Sequence, residues 1–177
     1  TKQRDTMKTY DSIIVKQDSL NKINLTKAEH YYNMCIEMQP DTFYAYQGLM
    51  DLYVYTEKFD KAEPLYGTIK ERFSSDSLLN TFSSSLAMAY STSKDYKKAL
   101  MFYEKMYSKD TNDIYILYQI AELYDKQKDK KKSEEVYRKL INKDKNYILG
   151  YVQLGRLYYE QKDYRSAKKY IEMAFEK

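Results

Sequence analysis

The residues of this chain best suited to chemistry are one histidine, one cysteine and scattered carboxylates. His30 and Cys35 are single representatives of their types, so they offer no second ligand of the kind that a zinc site needs. Neighbouring acids such as Glu134 and Glu135 point in different directions on a helix, so they are poor acid–base partners. This inventory predicts neither a metal site nor a catalytic pair.

Two further patterns could carry ligand chemistry, namely the glycines and the tyrosines. The four glycines, at positions 48, 67, 150 and 155, form neither a phosphate-binding loop nor a dinucleotide fingerprint. Twenty-two tyrosines raise an RNA-stacking alternative, and the basic run Lys126–Lys132 raises an acidic docking site. Most of these tyrosines fall in repeat columns that build a core, and the run spans a turn. We therefore expect no enzymatic activity, no cofactor and no nucleic-acid partner.

Composition narrows the class of protein. Charged residues make up 32% of the chain, with only four Gly and two Pro, which favours long helices with charged outer faces. The formal net charge of +4 is a mild excess with a weak lean toward acidic partners. No apolar run is long enough to span a membrane. The start at Thr1 and the Tyr-, Lys- and Asn-rich composition favour a processed, exported bacterial protein, with a trimmed cytoplasmic protein as the alternative.

The chain is built from a sequence repeat. The segments LYQIAELYDKQKDKKKSEEVYRKL from Leu117 and YVQLGRLYYEQKDYRSAKKYIEMA from Tyr151 align without a gap. One further copy begins at Ser83 at the same offset, and the copy before it begins at Tyr46, displaced by three additional residues. A weaker copy begins at Ser12, again at the regular offset. Self-similarity at a period of about 34 residues indicates stacked helical hairpins.

The aligned columns have a consistent chemistry. The first helix carries a large apolar column at Val15, Leu49, Leu86, Ile120 and Leu154, and an aromatic column at Tyr53, Tyr90, Tyr124 and Tyr158. The second helix carries a small column at Ala28, Ala62, Ala99, Ser133 and Ala167, an aromatic column at Tyr32, Tyr66, Tyr103 and Tyr137, and then Cys35, Ile69, Met106, Leu140 and Ala174. Spacings of three and four place these residues on one stripe of each helix, so the stripe predicts the core. Cys35 is therefore expected to be a buried, inert thiol, and His30 to lie on the outer face.

Short polar turns separate the two helices of each repeat. Asp95, Asp129 and Asp163 are placed to cap the second helix, and Asn24 can do the same in the first repeat. The second repeat has Lys58 at this position, so Asp60 is the expected substitute. The segment from Phe73 to Leu79 holds the three additional residues and is predicted to be extended. Pro64 falls inside a second helix and is expected to distort one turn.

This helix–turn–helix unit of about 34 residues, with its apolar, small and aromatic columns, resembles the tetratricopeptide repeat. The resemblance implies an all-α, right-handed α-solenoid of about five repeats forming one domain over residues 1–177. The predicted repeats span residues 9–42, 43–79, 80–113, 114–147 and 148–177. Departures from the family pattern include the absence of Trp at the first signature position, which holds Tyr46, Ser83, Leu117 and Tyr151.

The resemblance also implies a binding surface, because in this family the first helices line a concave face where ligands usually lie. The corresponding residues are Tyr44, Gln47, Asp51, Val54, Tyr55, Ser84, Ser85, Met88, Thr92, Tyr115, Tyr118, Gln119, Glu122, Lys126, Val152, Gln153, Arg156 and Tyr159. Tyr and Gln dominate this set and suit contacts with an extended peptide backbone. Packing of some of these tyrosines against the next helix is the alternative.

Two functions follow from the resemblance. The first is a non-catalytic scaffold that binds a protein or peptide on the concave face, and replacing Tyr118 and Gln119 by Ala should then weaken binding with little change in the thermal melt. The second is an assembly module acting through its ends and convex face. Tyr164, Ile171 and Phe175 would form an exposed apolar patch that meets a further domain, a partner or a second copy of the chain. Capture of a chaperone's C-terminal carboxylate is disfavoured, because the Lys, Asn and Arg positions of that clamp hold Gln47, Asp51, Ser85, Tyr115 and Gln119.

Overall fold

The structure is a computed structural model that describes residues 21–73 and 75–177. Within these residues the fold is an all-α solenoid of helical hairpins. The nine described helices are α1, followed from residue 21 to residue 38, α2 (Phe43–Tyr55), α3 (Phe59–Arg72), α4 (Asp76–Thr92), α5 (Tyr96–Lys109), α6 (Ile114–Lys126), α7 (Lys130–Lys143), α8 (Ile148–Glu160) and α9 (Tyr164–Phe175). The first part of the predicted repeat 9–42, including Val15, lies outside the described residues.

The described part of the chain divides into two compact units, an N-terminal unit that ends at Ser75 and a C-terminal unit of residues 76–177. In the N-terminal unit, α2 packs on α3, and α1 contacts α2 where the Tyr32 ring lies over Gly48. In the C-terminal unit every helix from α4 to α9 packs on the next one along the chain. Each element is thus positioned by its sequence neighbours, as the repeat predicts.

The predicted core columns are buried through most of the chain. The apolar column of the first helices holds Leu49, Leu86, Ile120 and Leu154, all of them at most 5% exposed. In the small column, Ala62, Ala99 and Ser133 have no exposed surface. The Ser133 hydroxyl donates to the carbonyl of Ala121 at 3.0 Å, which satisfies this buried polar group and ties α7 to α6.

The turns inside the hairpins use two devices. The second turn residue adopts a left-handed conformation at Glu57, Lys94, Lys128 and Lys162, with φ between 54° and 67°. This conformation costs a non-glycine residue roughly 1–2 kcal/mol. In the fourth repeat it lets the Asp129 amide donate to the Tyr124 carbonyl at 2.9 Å, which closes α6.

The same aspartate then opens the next helix. The carboxylates of Asp95, Asp129 and Asp163 accept from the amides three residues later at 3.1–3.2 Å, so the predicted caps are confirmed. Lys58 makes no side-chain cap, and Asp60 lies in the first turn of α3. The helix continues through Pro64 to Arg72.

Three local predictions are wrong. The segment 73–79 is not extended as a whole, because α4 begins at Asp76 and the additional residues lengthen this helix to 17 residues. Asn24 caps no helix, since α1 runs through it without a turn. Cys35 is exposed rather than buried, because α1 turns a stripe of half-buried Leu25, Ala28, Tyr32 and Ile36 inward and Cys35 lies beside that stripe.

Candidate functional site

The predicted binding residues of the N-terminal unit form one exposed stripe of α2. Tyr44 and Tyr55 are each 79% exposed, Asp51 is exposed and Gln47 is half-buried. The other face of α2 supplies core residues such as Leu49 and Met50. One face of α2 therefore packs in the core, while the rings of Tyr44 and Tyr55 on the other face are exposed to solvent.

The C-terminal unit has a corresponding surface on α4, α6 and α8, which we call the first-helix face. Its members are the predicted residues Ser84, Met88, Tyr115, Tyr118, Gln119, Glu122, Gln153, Arg156 and Tyr159. Met88, Tyr115 and Tyr159 are 54%, 51% and 65% exposed. Ser84 and Gln119 are half-buried. Exposed apolar side chains thus occur on each of the three first helices.

Tyr118 joins two of these helices. Its hydroxyl donates to Glu122 Oε1 at 2.8 Å and accepts from Gln153 Nε2 at 3.2 Å, so it connects α6 to α8. Its ring lies 6.0 Å from the Tyr137 ring and 5.9 Å from the Tyr147 ring, measured between centroids. Burial, together with the hydrogen bond to Glu122, raises the pKa of Tyr118 to about 12. Tyr118 therefore lies partly buried in the first-helix face, and its contacts connect two neighbouring repeats.

Arg156 is the centre of a charge network on the same face. It donates to Gln153 Oε1 at 2.8 Å, to Glu160 Oε1 at 2.6 Å and to Asp125 Oδ2. Lys130 donates to the other oxygen of Asp125 at 2.6 Å and to Glu160. Two cations and two carboxylates therefore neutralise one another across α6, α7 and α8.

The electrostatics of Asp125 follow from this network. Burial favours the neutral acid, but the hydrogen bonds from Lys130 and Arg156 outweigh it, so the pKa of Asp125 is lowered. The carboxylate stays ionised and keeps both cations engaged. Arg156 is consequently a poor free receptor for a ligand carboxylate.

Tyr118, Glu122, Gln153 and Arg156 were predicted from the sequence, whereas their partners Asp125, Lys130 and Glu160 were not. A usable signal was present. Residues about one repeat apart lie side by side on neighbouring hairpins, and the contacting pairs are separated by 30 to 35 residues, as in Lys130–Glu160, Asp125–Arg156 and Tyr118–Gln153. Searching for complementary side chains at that separation would have found them.

A second surface lies at the end of the C-terminal unit. A groove of about 520 Å³ is lined by Val152, Gly155, Arg156, Tyr159, Tyr164, Ala167, Lys168 and Ile171, and we call it the terminal apolar groove. Tyr164 is 59% exposed and Phe175, close by in sequence, is 88% exposed. Ile171 is only half-buried, and its side chain lies where a Cβ on Gly155 would fall, 2.7 Å away. The predicted patch therefore contains two exposed rings and one packing residue.

The single histidine and the single cysteine of the chain lie on the same helix. His30 and Cys35 are both exposed on α1. Within residues 21–73 and 75–177, no group of three or more His, Cys, Asp or Glu side chains is arranged to hold a metal ion. None of the helices in this part of the chain is long and apolar enough to cross a membrane.

Comparison with known proteins agrees with the repeat. Two sequence profiles, each described as a tetratricopeptide repeat, match the chain, one over residues 115–147 and the other over residues 84–108 and 150–176. No curated protein sequence matches the chain.

Several solved structures share the fold. A MamA fragment from Desulfovibrio magneticus RS-1 is 16% identical, with a TM-score of 0.64 over 92% of this chain and 90% of that one. YrrB, described as a TPR protein with an unusual peptide-binding site, is 16% identical, with a TM-score of 0.62 over 90% of this chain and 81% of that one. BtubC from P. vanneervenii is 21% identical, with a TM-score of 0.59 over 86% of this chain and 70% of that one.

Proposed function

The chain is a tetratricopeptide-repeat protein, and from this premise we propose that it is a protein-interaction scaffold that binds an extended peptide on its first-helix face. The observation that carries the proposal is the exposure of Met88, Tyr115 and Tyr159 on three successive first helices, while the other faces of these helices are buried. The N-terminal unit by itself carries a surface of the same kind on α2, formed by Tyr44, Gln47, Asp51 and Tyr55.

The occurrence of a peptide-binding site in YrrB supports the proposal, since that protein shares this fold. The chemistry of the face supports it as well. Tyrosine rings bury a large area at low entropic cost, and their hydroxyls can pair with peptide groups. Scaffolding of this kind requires no catalytic group.

The charge network defines the class of peptide. Arg156 and Lys130 are paired with Asp125 and Glu160, so a ligand carboxylate that binds either of these two cations would have to displace an existing partner. Binding to the exposed apolar side chains does not require an ion pair to be broken. We therefore propose a segment whose contacting residues are apolar or aromatic and uncharged.

The test uses two methionines of similar exposure in one repeat. Met88 is 54% exposed on the first helix α4, and Met101 is 56% exposed on the second helix α5. Peptides enriched from a random phage-display library on the immobilised chain are synthesised, and their affinity is measured by calorimetry. Met88→Ala should weaken binding about fivefold or more, whereas Met101→Ala should leave it unchanged.

Equal weakening by both substitutions, or enriched peptides that ignore Met88, would refute the use of the first-helix face. A double variant with Tyr115→Ala and Tyr159→Ala extends the test to α6 and α8. Circular dichroism melts of all variants distinguish lost binding from lost fold.

The second candidate function is assembly through the end of the C-terminal unit, favoured by the exposure of Tyr164 in the terminal apolar groove and of Phe175 on the same helix. Sedimentation velocity at high protein concentration tests it. Phe175→Glu with Tyr164→Glu should convert an assembled species into monomer, whereas Met101→Glu should not. A wild-type chain that is monomeric at every concentration would contradict assembly of the chain with itself.

A further inference from the structure

A second concave feature of the C-terminal unit lies between two second helices, α7 and α9, away from the side chains of the first-helix face. It is a pocket of about 440 Å³, which we call the basic pocket. Its lining residues are Arg138, Ile141, Asn142, Lys145, Tyr151, Lys169, Tyr170, Met173 and Lys177. Four of these carry a positive charge, and no Asp or Glu belongs to the lining.

The floor of the basic pocket is apolar and well packed. Ile141, Tyr151 and Tyr170 are at most 8% exposed, and Met173 packs against the same core. The floor is therefore a fixed surface that does not need a ligand in order to form.

Arg138 is held at the edge of this floor. Its guanidinium donates to the hydroxyls of Tyr170 at 2.7 Å and Tyr158 at 2.6 Å, and to Glu134 at 2.9 Å. It lies 5.5 Å from the centre of the Tyr170 ring. The hydrogen bonds to Glu134 and Tyr158 raise the pKa of Arg138, so its charge is permanent.

The three lysines of the rim differ from Arg138. Lys145, Lys169 and Lys177 have no ion-pair partner in the part of the chain that the structure describes. They are exposed and their positive charges add to that of Arg138. The pocket thus combines an apolar floor with three unpaired lysines, beside an arginine that is paired with Glu134.

The repeat itself shows that the fold does not require this rim. At the equivalent positions of the preceding repeat, Arg138 corresponds to Glu104, Lys145 to Thr111, Lys169 to Glu135 and Lys177 to Lys143. All four of these earlier residues are exposed as well. The equivalent positions one repeat earlier thus hold two acids and a neutral residue where the basic pocket has three cations. The positive charge of the rim is therefore particular to the basic pocket and is not required by the repeat fold.

We propose that the basic pocket binds an acidic segment of a partner protein, with an apolar side chain on the floor and flanking Asp or Glu carboxylates on the lysines. This site is separate from the proposed peptide site on the first-helix face. Charge complementarity determines the acidic class of the partner. The apolar floor favours a peptide over a nucleic-acid backbone, because phosphates would occupy the rim and would not use the partly exposed Met173.

The experiment measures fluorescence anisotropy of a fluorescein-labelled peptide with the sequence DEDLFDED, titrated with the full chain at low and high salt. The peptides DEDSSDED and KRKLFKRK test the apolar and acidic parts separately, and labelled polyuridylate tests the nucleic-acid alternative. Binding of DEDLFDED should be the tightest and should weaken as salt screens the lysines.

A matched pair of lysine variants localises the binding. Lys169→Glu changes the rim, while Lys168→Glu makes the same charge change on the adjacent residue, which lines the terminal apolar groove instead. Lys169→Glu should weaken DEDLFDED binding about tenfold or more, because reversing a rim charge replaces one attraction by one repulsion. Lys168→Glu should weaken it less than about twofold, an effect confined to long-range charge.

Equal effects of the two variants would overturn the proposal, since they would reduce the binding to general electrostatics. Equal affinity for DEDSSDED would remove the role of the floor, and tighter binding of polyuridylate would replace the acidic peptide by nucleic acid. No binding of DEDLFDED at low salt would also overturn it.

Discussion

Replacement of Tyr118 by Ala separates packing from binding on the first-helix face. The ring is half-buried against Tyr137 and Tyr147. Tyrosine buries ~200 Å² when fully packed and roughly two thirds of this area is buried at Tyr118, so its loss costs ~3 kcal/mol at ~25 cal/mol per Å². The aromatic pairs add ~1 kcal/mol, and we expect a loss of about 3–4 kcal/mol in the free energy of unfolding.

Two variants calibrate this value. Tyr118→Phe keeps the ring but removes the hydroxyl that donates to Glu122 and accepts from Gln153, and it should cost about 1–2 kcal/mol. Tyr115→Ala removes a ring that is 51% exposed on the same helix and makes none of these ties to α8, so it should cost about 2 kcal/mol, less than Tyr118→Ala. Urea unfolding followed by circular dichroism gives all three free energies.

A loss in the free energy of unfolding that is no larger for Tyr118→Ala than for Tyr115→Ala would contradict this prediction. That result would mean that Tyr118 does not join α6 to α8, and that it is free to act as a simple binding residue. The structure predicts the opposite, so the expectation that Tyr118→Ala with Gln119→Ala leaves the melt nearly unchanged is replaced by a loss of stability. Tyr115 is the cleaner residue for a binding test.

Three further predictions concern stability. Gly67→Ala should stabilise the folded chain by about 0.5–1 kcal/mol, because a Cβ there meets nothing within 4 Å. Gly150→Ala should destabilise it by about 1–2 kcal/mol, because its Cβ would lie 2.6 Å from Ile141 Cγ2. Melting temperatures that shift in the same direction for both variants would contradict this pair of predictions. Asp129→Ala should cost about 1 kcal/mol through the lost cap of α7, and an unchanged urea midpoint would speak against that cap. Hydrogen bonds from Lys58 and Lys61 lower the pKa of Glu29 to about 2, so its stabilisation is complete above pH 4.5 and is lost as the pH falls toward 2. Because both lysines are partly exposed, Glu29→Gln should remove only about 1 kcal/mol at pH 7 and flatten this acid dependence, and parallel pH profiles of variant and wild type would refute it.

The periodic parts of the fold could be predicted from the sequence, because each repeat places the same residue types at the same helical positions. Leu86, Leu154 and Ala99 are buried as their columns require, and Asp95 and Asp163 cap the helices that they precede. These features depend on local spacing alone, and local spacing is visible in a sequence.

Features that depend on departures from the repeat could not be predicted. The additional residues before Leu79 were consistent with a loop or a longer helix, and packing of α4 selected the helix. Asn24 is a common capping residue, yet α1 continues through it, and the register that buries part of Tyr32 leaves Cys35 exposed. Lys128 and Lys162 occupy left-handed turn positions where Gly would be the ordinary choice.

The sequence indicated which residues belong to the candidate site, but not which of their side chains are free to contact a ligand. The resemblance to the tetratricopeptide repeat implied one face for Tyr118, Glu122 and Arg156, but which of them are exposed depends on partners one repeat away. The network around Asp125 neutralises Arg156, and only a three-dimensional arrangement shows that the apolar side chains are the groups left available.

The central claim, binding on the first-helix face, is tested most directly by nuclear magnetic resonance of the chain labelled with ¹³C at the methionine methyl groups. Met88 reports on the first-helix face, Met173 on the basic pocket and Met101 on an exposed part of a second helix. Titration with a phage-selected apolar peptide should shift the Met88 signal and leave Met101 and Met173 in place. Shifts at Met101 or Met173 with an unmoved Met88 signal would contradict the account.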